Sequence, residues 1–454
     1  MPAADSTAAI EAVYRVEFPR VVAVLAAFTR DIDLAGELAQ DALVDAVRQW
    51  PRDGTPANPG AWLTAVGKRK AIDAFRRHRA LDAKYAQIGR ELQAHSSIER
   101  RGDAARGAES DEEIDDDRLR LIFVACHPVV SAPARVALTL RLVGGLTVPE
   151  IARAYVVPEA TIAQRIVRSK KTIARAGVPF EVPVGEDRSS RLDAVLEVIY
   201  LVFNEGYTAT AGEEWVRPEL CGEAVRLGRV LAALMPYEPE VHGLVALMEF
   251  QSSRLRARTA PSGAPVLLLD QDRRMWDRLL IGRGEAALAR AEQLAGSRGP
   301  YTLQAAIAAC HARTFRPEET DWDQVVALYT ALARATPSPI IELNRAVAVS
   351  RASGAAEALA LVDVLVGTGT LERYHLLYSV RGDLLERLER YDDAASEFER
   401  AAALAANQQE RTLLIERAEA SRSSALSELR TPDLLGARAD RDVRGATTCA
   451  SRNE

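Results

Sequence analysis

Residues 147–177, which read TVPEIARAYVVPEATIAQRIVRSKKTIARAG, decide the fold that the sequence predicts. Thr147 and Glu150 have the three-residue spacing of a capping box, which predicts that a helix starts there. A tight turn is predicted to end at Pro158, and a second, longer helix is predicted to end at Gly177. A short capped helix, a tight turn and a longer helix together predict a helix-turn-helix.

The longer helix has two chemically different faces. Ile162, Ile166 and Ile173 recur at helical spacing, which predicts a buried stripe. An ordinary helical hairpin with a solvated basic face is the alternative, but the cap, the turn length and the one-sided charge favour DNA binding. The other face carries residue types that read base edges and hold phosphates, namely Thr161, Gln164, Arg165, Arg168, Ser169 and Lys171.

Charge is unevenly distributed around this motif. The 454 residues have a formal net charge of −6, which by itself argues against a nucleic-acid partner. Counted separately, residues 1–177 carry 26 basic and 23 acidic side chains, whereas residues 178–454 carry 32 and 41. The first part is therefore mildly basic at +3 and the second acidic at −9, which is compatible with DNA binding by the first part.

The rest of the sequence has helical patterning. Apolar side chains recur at helical spacing in residues 9–30, 33–50 and 61–79, and a loop rich in Pro and Gly is predicted at residues 51–60. No run of residues alternates as a half-buried strand requires. We therefore predict an all-α protein, with two small helical domains ahead of a longer helical one.

Composition divides the chain into five segments. A helical unit at residues 9–90 is followed at 91–117 by an acidic linker, which we predict to be flexible. The helix-turn-helix unit occupies residues 118–178. After a boundary rich in Pro, a helical extension is predicted at 190–428 and a polar tail at 429–454.

The helix predicted at residues 61–79 carries a second basic cluster. Residues 68–90 have a local net charge of +6, with Trp62 at the start of the helix and Phe75 inside the cluster. A basic surface with aromatic rings suits single-stranded nucleic acid, because charge follows the phosphates and rings stack on bases. Aromatic side chains are more often core residues, so this cluster alone does not decide the function.

The order of these segments resembles that of a bacterial sigma-70 family factor of the small extracytoplasmic-function group (group 4), which has the domains σ2 and σ4. The resemblance is carried by DLAGELAQDAL at residues 33–43, by residues 59–77 from PGAWL to AIDAFRR, and by residues 146–171. It covers residues 9–177. The remaining chain resembles the long helical, tetratricopeptide-like extension of one subgroup.

The resemblance implies a sigma factor that binds core RNA polymerase, recognises the −35 and −10 promoter elements and melts DNA to initiate transcription of a specific regulon. Its partners would be promoter DNA and the β′ clamp helices and β flap of the polymerase. The helix predicted at residues 33–50 would face the clamp helices through Leu34, Leu38, Asp41 and Asp45. The −10 element would be met by Trp62, Lys68, Arg69, Asp73, Arg76 and Arg77. The polar face of the helix-turn-helix would lie at −35, and the loop at residues 52–59 would hold a flipped base.

The extension carries one good copy of a helical repeat. Gly382 and Ala394 should let two antiparallel helices approach closely, and Phe398 should fill the space beside them. An upstream match at Ala360 is partial, and an ordinary helical domain is the alternative. We expect the acidic extension to control activity in cis and to be the place where a regulatory protein or a ligand would bind. The residues with the spacing of a 34-residue tetratricopeptide repeat are Tyr378, Gly382, Leu385, Ala394, Phe398 and Ala401.

The sequence shows no motif for catalysis. It has no nucleophile constellation, paired metal ligands or phosphate-binding loop, so we predict a protein that is not an enzyme and that has no metal and no cofactor. The Cys126-His127 and Cys310-His311 pairs lie in apolar segments and are interpreted as buried structural residues. Two polar clusters, at residues 204–207 and 270–273, fit a buried network and a ligand site equally well.

No apolar run reaches the roughly 18 residues of a membrane span, and the N-terminal residues lack a signal-peptide pattern. Four widely spaced Cys residues fit a reducing compartment, so we expect a cytoplasmic protein with no membrane partner.

The main alternative is a one-component helix-turn-helix transcription regulator with a helical sensor. An enzyme with its active site in residues 190–430 would need a motif that is absent.

Overall fold

A computed structural model describes residues 17–92, 111–155, 157–208 and 216–426, with side chains omitted at 78–92, 111–115 and 186. Within these ranges the regular elements are helices, and the nearest approach to a strand is an isolated bridge between Thr259 and Pro265. The prediction of an all-α fold is confirmed. None of the described helices is both long and apolar enough to cross a membrane.

The chain forms two compact units that are described separately. The first comprises Met1–Phe203 and Glu223–Pro236, and the second comprises Asn204–Gly222 and Tyr237–Glu454. This division differs from the predicted boundary after residue 178, because helices of the extension contribute to the first unit. There the Arg191 guanidinium donates to the Phe123 carbonyl at 3.0 Å.

The first unit contains the predicted σ2-like and helix-turn-helix segments. Its core is formed by the apolar stripes of successive helices, as the helical periodicity predicts. The helices are α1 (residues 17–29), α2 (Ile32–Asp53), α3 (Pro59–Leu92), α4 (Asp111–Ala125), α5 (Ala132–Leu142), α6 (Val148–Ala154) and α7 (Glu159–Arg175), with parts of α8 (Glu186–Tyr207) and α9 (Pro218–Leu234).

The acidic run at residues 111–117, predicted to belong to a flexible linker, is instead helical. It forms the first turns of α4, in keeping with the preference of acidic residue types for the N-terminal end of a helix. At the end of the run, Asp117 is buried and forms an ion pair with Arg120. Residues 93–110 of the predicted linker and the predicted tail at 429–454 lie outside the described residues.

The second unit continues as a series of helix pairs. The predicted close approach between the helices His375–Glu386 and Tyr391–Leu404 is confirmed, because a Cβ atom built on Gly382 would lie 2.7 Å from the Phe398 ring. Ala394 and Phe398 are fully buried. The further helices are α10 (Pro239–Ser253), α11 (Arg278–Leu294), α12 (Pro300–Ala312), α13 (Trp322–Ala335), α14 (Pro339–Ala352), α15 (Ala355–Thr368), α16 (His375–Glu386), α17 (Tyr391–Leu404) and α18 (residues 408–426).

The helix pair α14–α15 shows why the repeat pattern is weak upstream. Helix α15 begins at Ala355 and α17 begins at Tyr391, an offset of 36 residues instead of 34. Ala360, which the 34-residue period selects, is therefore exposed, and Ala358 has the fully buried position. Two additional residues per pair preserve the packing while they obscure the sequence period.

Candidate nucleic-acid and polymerase interfaces

The helix-turn-helix begins with the predicted capping box. The Thr147 hydroxyl accepts a hydrogen bond from the Glu150 backbone N–H at 3.3 Å, and the Glu150 carboxylate accepts one from the Thr147 N–H at 2.7 Å. Both bonds satisfy backbone donors that the first turn of α6 would otherwise leave unpaired. Helix α7 then starts at Glu159, so the predicted motif is confirmed as a local structure.

Helix α7 buries the predicted isoleucine stripe and exposes most of the predicted polar face. Gln164, Arg168 and Lys171 are exposed, and Thr161 and Arg165 are half-buried. Ser169 differs from the prediction. It is 2% exposed, and its hydroxyl donates to the Arg165 carbonyl at 2.6 Å, so its side chain is unavailable to DNA. The buried stripe consists of Ile162, Ile166 and Ile173.

Helix α3 presents the second basic surface. Arg69, Arg76 and Arg77 are exposed, and Lys68 is half-buried. Asp73 lies among them, where Arg77 Nε donates to its carbonyl oxygen at 3.3 Å. This geometry leaves cationic groups in solvent along one helix, which is an arrangement that can follow a phosphate backbone.

Aromatic side chains lie beside this basic surface. Trp50 is buried and packs edge-on against the half-buried Trp62, with 5.5 Å between ring centroids. Phe28 is 44% exposed, with its ring 6.4 Å from that of Phe75 and 5.8 Å from Lys68 Nζ. Periodicity alone predicts that Phe28 is buried, because it ends the apolar stripe of residues 9–30, whereas the structure exposes it.

The loop predicted to hold a flipped base is short. Helix α2 continues to Asp53, and Gly54 follows with a φ of +83°, a conformation that favours glycine. Asn58 then accepts a hydrogen bond from the Ala61 N–H at 3.0 Å, which caps α3. Only residues 54–58 separate the two helices.

Helix α2 exposes a different stripe from the predicted one. Leu38 is 5% exposed and belongs to the core, so it cannot contact a protein partner in this arrangement. Asp41 is exposed and Leu34 half-buried, while Asp45 binds Lys70 Nζ at 2.9 Å. The exposed face adds residues that sequence reasoning missed, namely Glu37, Gln40, Val44 and Val47.

The Cys-His pairs are structural. Cys126 is buried with its sulfur 3.3 Å from the Thr139 hydroxyl, and burial raises the pKa of the thiol to about 11. Cys310 is also buried, and the adjacent His311 packs edge-on against Trp322. Both pairs confirm the structural interpretation. Among the side chains that the structure describes, no group of three or more His, Cys, Asp or Glu could hold a metal ion.

The polar cluster at residues 204–207 is a buried network. Glu205 forms an ion pair with Arg217, and both side chains are buried. The Arg258 guanidinium lies 3.7 Å from the centroid of the Tyr207 ring. These contacts join the end of α8 to other elements of the second unit.

The cluster at residues 270–273 contains one residue of a buried network and one residue that lines a cavity. Arg273 is buried and donates to the His311 carbonyl at 2.9 Å, which is a structural role. Asp270 instead lines a cavity of about 710 Å³, together with Trp322, Arg351 and Asp383. The volume lies within the range of ligand pockets.

Comparison with known proteins identifies the class of the N-terminal part. Residues 13–81 match the family model for sigma-70 region 2. This match supports a sigma-70 family sigma factor, with a role in binding RNA polymerase and promoter DNA and in promoter melting. Residues 191–292 match a second family model, described as a family of unknown function (DUF6596).

A second comparison finds a relative that matches most of the chain. This chain is 46% identical over 392 residues to "Uncharacterized protein R00370" of Rhizobium meliloti (strain 1021). The alignment covers 86% of this chain and 91% of the relative. The chain belongs to the family of that protein. Yeast Tom70 aligns over 96% of this chain and 88% of its own, but with 14% identity and a TM-score of 0.31 it supports no inference.

Proposed function

We propose that this sigma-70 family protein is a group 4, extracytoplasmic-function sigma factor for a specific regulon. Helices α1–α3 would serve as σ2 and helices α4–α7 as σ4, and the helical extension would control activity in cis. The observation that carries the proposal is the exposed basic face of α7, behind a capped α6, in a chain that also has sigma-70 region 2. An isolated region 2 would not require a second DNA-reading helix.

The surfaces have distinct roles in this proposal. Helix α7 enters the major groove at −35, where its arginine and glutamine side chains hydrogen-bond base edges or phosphates. Helix α3 holds the −10 strand, and the Phe28–Phe75 pair offers rings on which an unpaired base can stack. The −35 contacts are Thr161, Gln164, Arg165, Arg168 and Lys171. The −10 contacts are Trp62, Lys68, Arg69, Asp73, Arg76 and Arg77.

The polymerase contact is proposed for the exposed face of α2. Asp41 and Leu34 are retained from the sequence prediction, and Asp45 is retained as a residue that Lys70 orients. Val44 and Val47 are added because they are exposed apolar side chains at helical spacing. An apolar stripe with flanking carboxylates suits a basic helical partner such as the β′ clamp helices, and σ4 would meet the β flap.

A one-component regulator is the less favoured function. Such a protein needs the helix-turn-helix and a sensor, but it has no use for a region 2 domain. The match over residues 13–81 therefore favours a sigma factor.

Control in cis is supported by contacts inside the first unit. Arg135 on α5 binds Glu197 on α8 at 3.0 Å, and Arg226 on α9 donates to the Val143 carbonyl at 3.3 Å. Together with Arg191, these residues join the extension to the backbone that supports α6 and α7. A change in the extension can thereby alter how the DNA-reading helix is held.

The main proposal is tested by run-off transcription with core RNA polymerase and by binding to −35 duplexes. Arg165→Ala and Arg168→Ala should each weaken −35 binding about five- to tenfold and reduce the slope of log affinity against log salt by about one. Arg175→Ala, at an exposed position of the same helix, is the matched control. Unaltered −35 binding at several salt concentrations would remove this role of α7.

Control in cis requires its own experiment. The variant Arg191→Ala/Arg226→Ala removes two contacts between the extension and σ4 while it leaves the DNA face intact. We expect its promoter output to differ from wild type at equal protein and polymerase concentrations. Equal output, with equal −35 binding, would show that the extension does not act through these contacts.

A further inference from the structure

The connection between α10 and α11 is long. It covers residues 254–277, and its helical elements are two short 3-10 helices. Connections of more than about 12–15 residues are uncommon in compact domains and often form lids or binding loops. This one is held on both sides of its tip at residues 267–270. The Val266 N–H donates to the Arg258 carbonyl at 2.8 Å on one side, and Arg273 is buried on the other.

The tip lines the cavity of about 710 Å³ in the second unit. Leu267, Leu268 and Leu269 contribute from the loop, and Trp322 contributes from α13. Most of the lining is apolar, as in the binding sites of small molecules. Helices α14, α16 and α18 supply further parts of the wall, and each contributes two side chains four residues apart and hence on one helix face. These pairs are Val347 and Arg351, Val380 and Leu384, and Leu413 and Arg417.

The charged side chains of the lining differ in how far the protein itself occupies them. Asp383 binds Arg417 at 2.9 Å, and Arg417 also binds Glu386 at 2.6 Å, so these groups are committed to one another. Among the described residues, the side chains of Arg351 and Asp270 take part in no hydrogen bond or ion pair. One cation and one anion of the lining are therefore available.

The two available charges lie at the mouth of the cavity, because Arg351 and Asp270 both line it and are both exposed. Partial loss of hydration lowers the pKa of the Arg351 guanidinium, Arg387 lowers it further, and Asp383 and Asp270 raise it. Arg351 and Asp270 are thus within electrostatic range of each other. An apolar interior with one available charge of each sign complements a molecule with an apolar body, a carboxylate and an ammonium group.

We propose that this cavity binds a zwitterionic small molecule with an apolar body, of the class of apolar amino acids and dipeptides. The Arg351 guanidinium binds the carboxylate, Asp270 binds the ammonium group, and the leucines of the tip and Trp322 pack against the apolar side chains. An anion without an ammonium group would pair with only one of the two charged residues. The site goes beyond the proposed function, since binding requires neither polymerase nor promoter DNA.

Isothermal titration of the full chain with the dipeptide L-leucyl-L-leucine tests the site. We expect a Kd of about 0.1–1 mM, the range expected for a ligand of this size. Leucyl-leucine amide lacks the carboxylate and N-acetyl-leucyl-leucine lacks the ammonium group, so each should bind at least about fivefold more weakly. No binding of leucyl-leucine at about 10 mM would overturn the proposal.

The acetylated dipeptide also separates this ligand class from the C-terminus of a partner protein, which offers a carboxylate alone. Equal binding of leucyl-leucine and its N-acetyl derivative would show that the ammonium group is not recognised. That result would overturn the assignment of a zwitterionic ligand.

Variants of the two available charges test each contact. Arg351→Gln should weaken the binding of leucyl-leucine about five- to tenfold and bind it and its amide with nearly equal affinity, because the carboxylate has lost its partner. Asp270→Asn should likewise bind leucyl-leucine and its N-acetyl derivative with nearly equal affinity. Both positions are exposed, so the thermal midpoint without ligand should shift by less than about 2 °C. Wild-type preferences in both variants would overturn the site.

Arg274→Gln is the matched control, because Arg274 is 85% exposed, belongs to the same connection and does not line the cavity. It should bind leucyl-leucine with wild-type affinity. Equal losses in Arg274→Gln and Arg351→Gln would reflect net charge alone and would overturn the assigned contact. These titrations use the free chain, so a negative result would leave the sigma-factor function, which run-off transcription tests, intact.

Discussion

Arginines on the helix surfaces of the first unit have different surroundings from those in the interior of the second. In the first unit, Arg69, Arg76 and Arg168 are exposed on helix surfaces. In the second unit, Arg258 and Arg273 are buried, where they donate to backbone carbonyls and lie against aromatic rings. A guanidinium in solvent is available to phosphates, whereas a buried one is already committed to the protein.

The formal net charge of −6 does not distinguish these two roles. The sum counts a buried, hydrogen-bonded arginine and an exposed one equally. Only the exposed arginines contribute to a DNA-binding surface. The separation of roles is therefore the feature that variants should test, beginning with the change that should cost the most stability.

The largest effect is expected for Arg273→Ala. Arg273 is 2% exposed and donates to three backbone carbonyls and two hydroxyls around the end of α12, so its removal leaves several buried acceptors unpaired. We expect a loss of about 3–5 kcal/mol in the free energy of unfolding, measured by urea denaturation.

Arg274→Ala is the matched control, because its side chain is 85% exposed and pairs only with Asp272. Its effect should stay within about 0.5 kcal/mol. Similar losses for the two neighbouring arginines would break the distinction between buried and exposed roles.

A smaller loss is expected for Gly382→Ala. The added methyl group would meet the Phe398 ring at 2.7 Å and force apart α16 and α17, at a cost of about 1–3 kcal/mol. Gly367→Ala on α15 is the control. It meets no atom within 4 Å and should be neutral or slightly stabilising. Thermal denaturation would measure both, and partial recovery in Gly382→Ala/Phe398→Leu would identify the clash as the cause.

His311 should make the second unit sensitive to acid. Burial, and then the neighbouring Arg254 and Arg273, lower the pKa of His311 from 6.5 to about 3. The unfolded chain therefore binds more protons between these values, so stability is complete above pH 6.5 and falls as the pH drops towards 3. Between pH 7 and pH 5 this contribution amounts to about 2 kcal/mol.

His311→Phe keeps a ring against Trp322 and removes the titrating group. The variant should lose less stability than wild type between pH 7 and pH 5, as measured by urea unfolding at each pH. Parallel pH profiles for the two proteins would show that His311 is not a source of the acid sensitivity.

The smallest effect on stability is expected for Arg168→Ala. Its guanidinium is exposed on α7, so the free energy of unfolding should change by less than about 0.5 kcal/mol even though −35 binding weakens. A clear loss of stability would mean that Arg168 supports the fold and that reduced DNA binding has a different cause.

Local patterns predicted the helix-turn-helix correctly because its determinants are close together in sequence. The cap joins residues three positions apart, and the isoleucine stripe repeats within a single helix. The same kind of reasoning placed Gly382 against Phe398. It failed at Ser169 and Leu38, because the boundary between a buried and an exposed helix face depends on which neighbouring helices pack there.

The prediction for residues 111–117 failed for a related reason. An acidic run cannot form a core by itself, and the sequence does not show that α4 continues into an apolar stripe buried between neighbouring helices. The offset of 36 residues between α15 and α17 likewise preserves packing but departs from the expected period.

Helix content, the helix-turn-helix and the region 2 segment could thus be deduced from residue order, since hydrogen bonding and side-chain periodicity act over a few residues. The contact of Lys170 with Asp33 spans 137 positions, and the hydrogen bond from Arg226 to the Val143 carbonyl spans 83. Contacts of this kind arise when separate helices pack, and each depends on the shape of both surfaces. For this reason the packing of α2 against α7, and the inclusion of α8 and α9 residues in the first unit, were decided by tertiary structure alone.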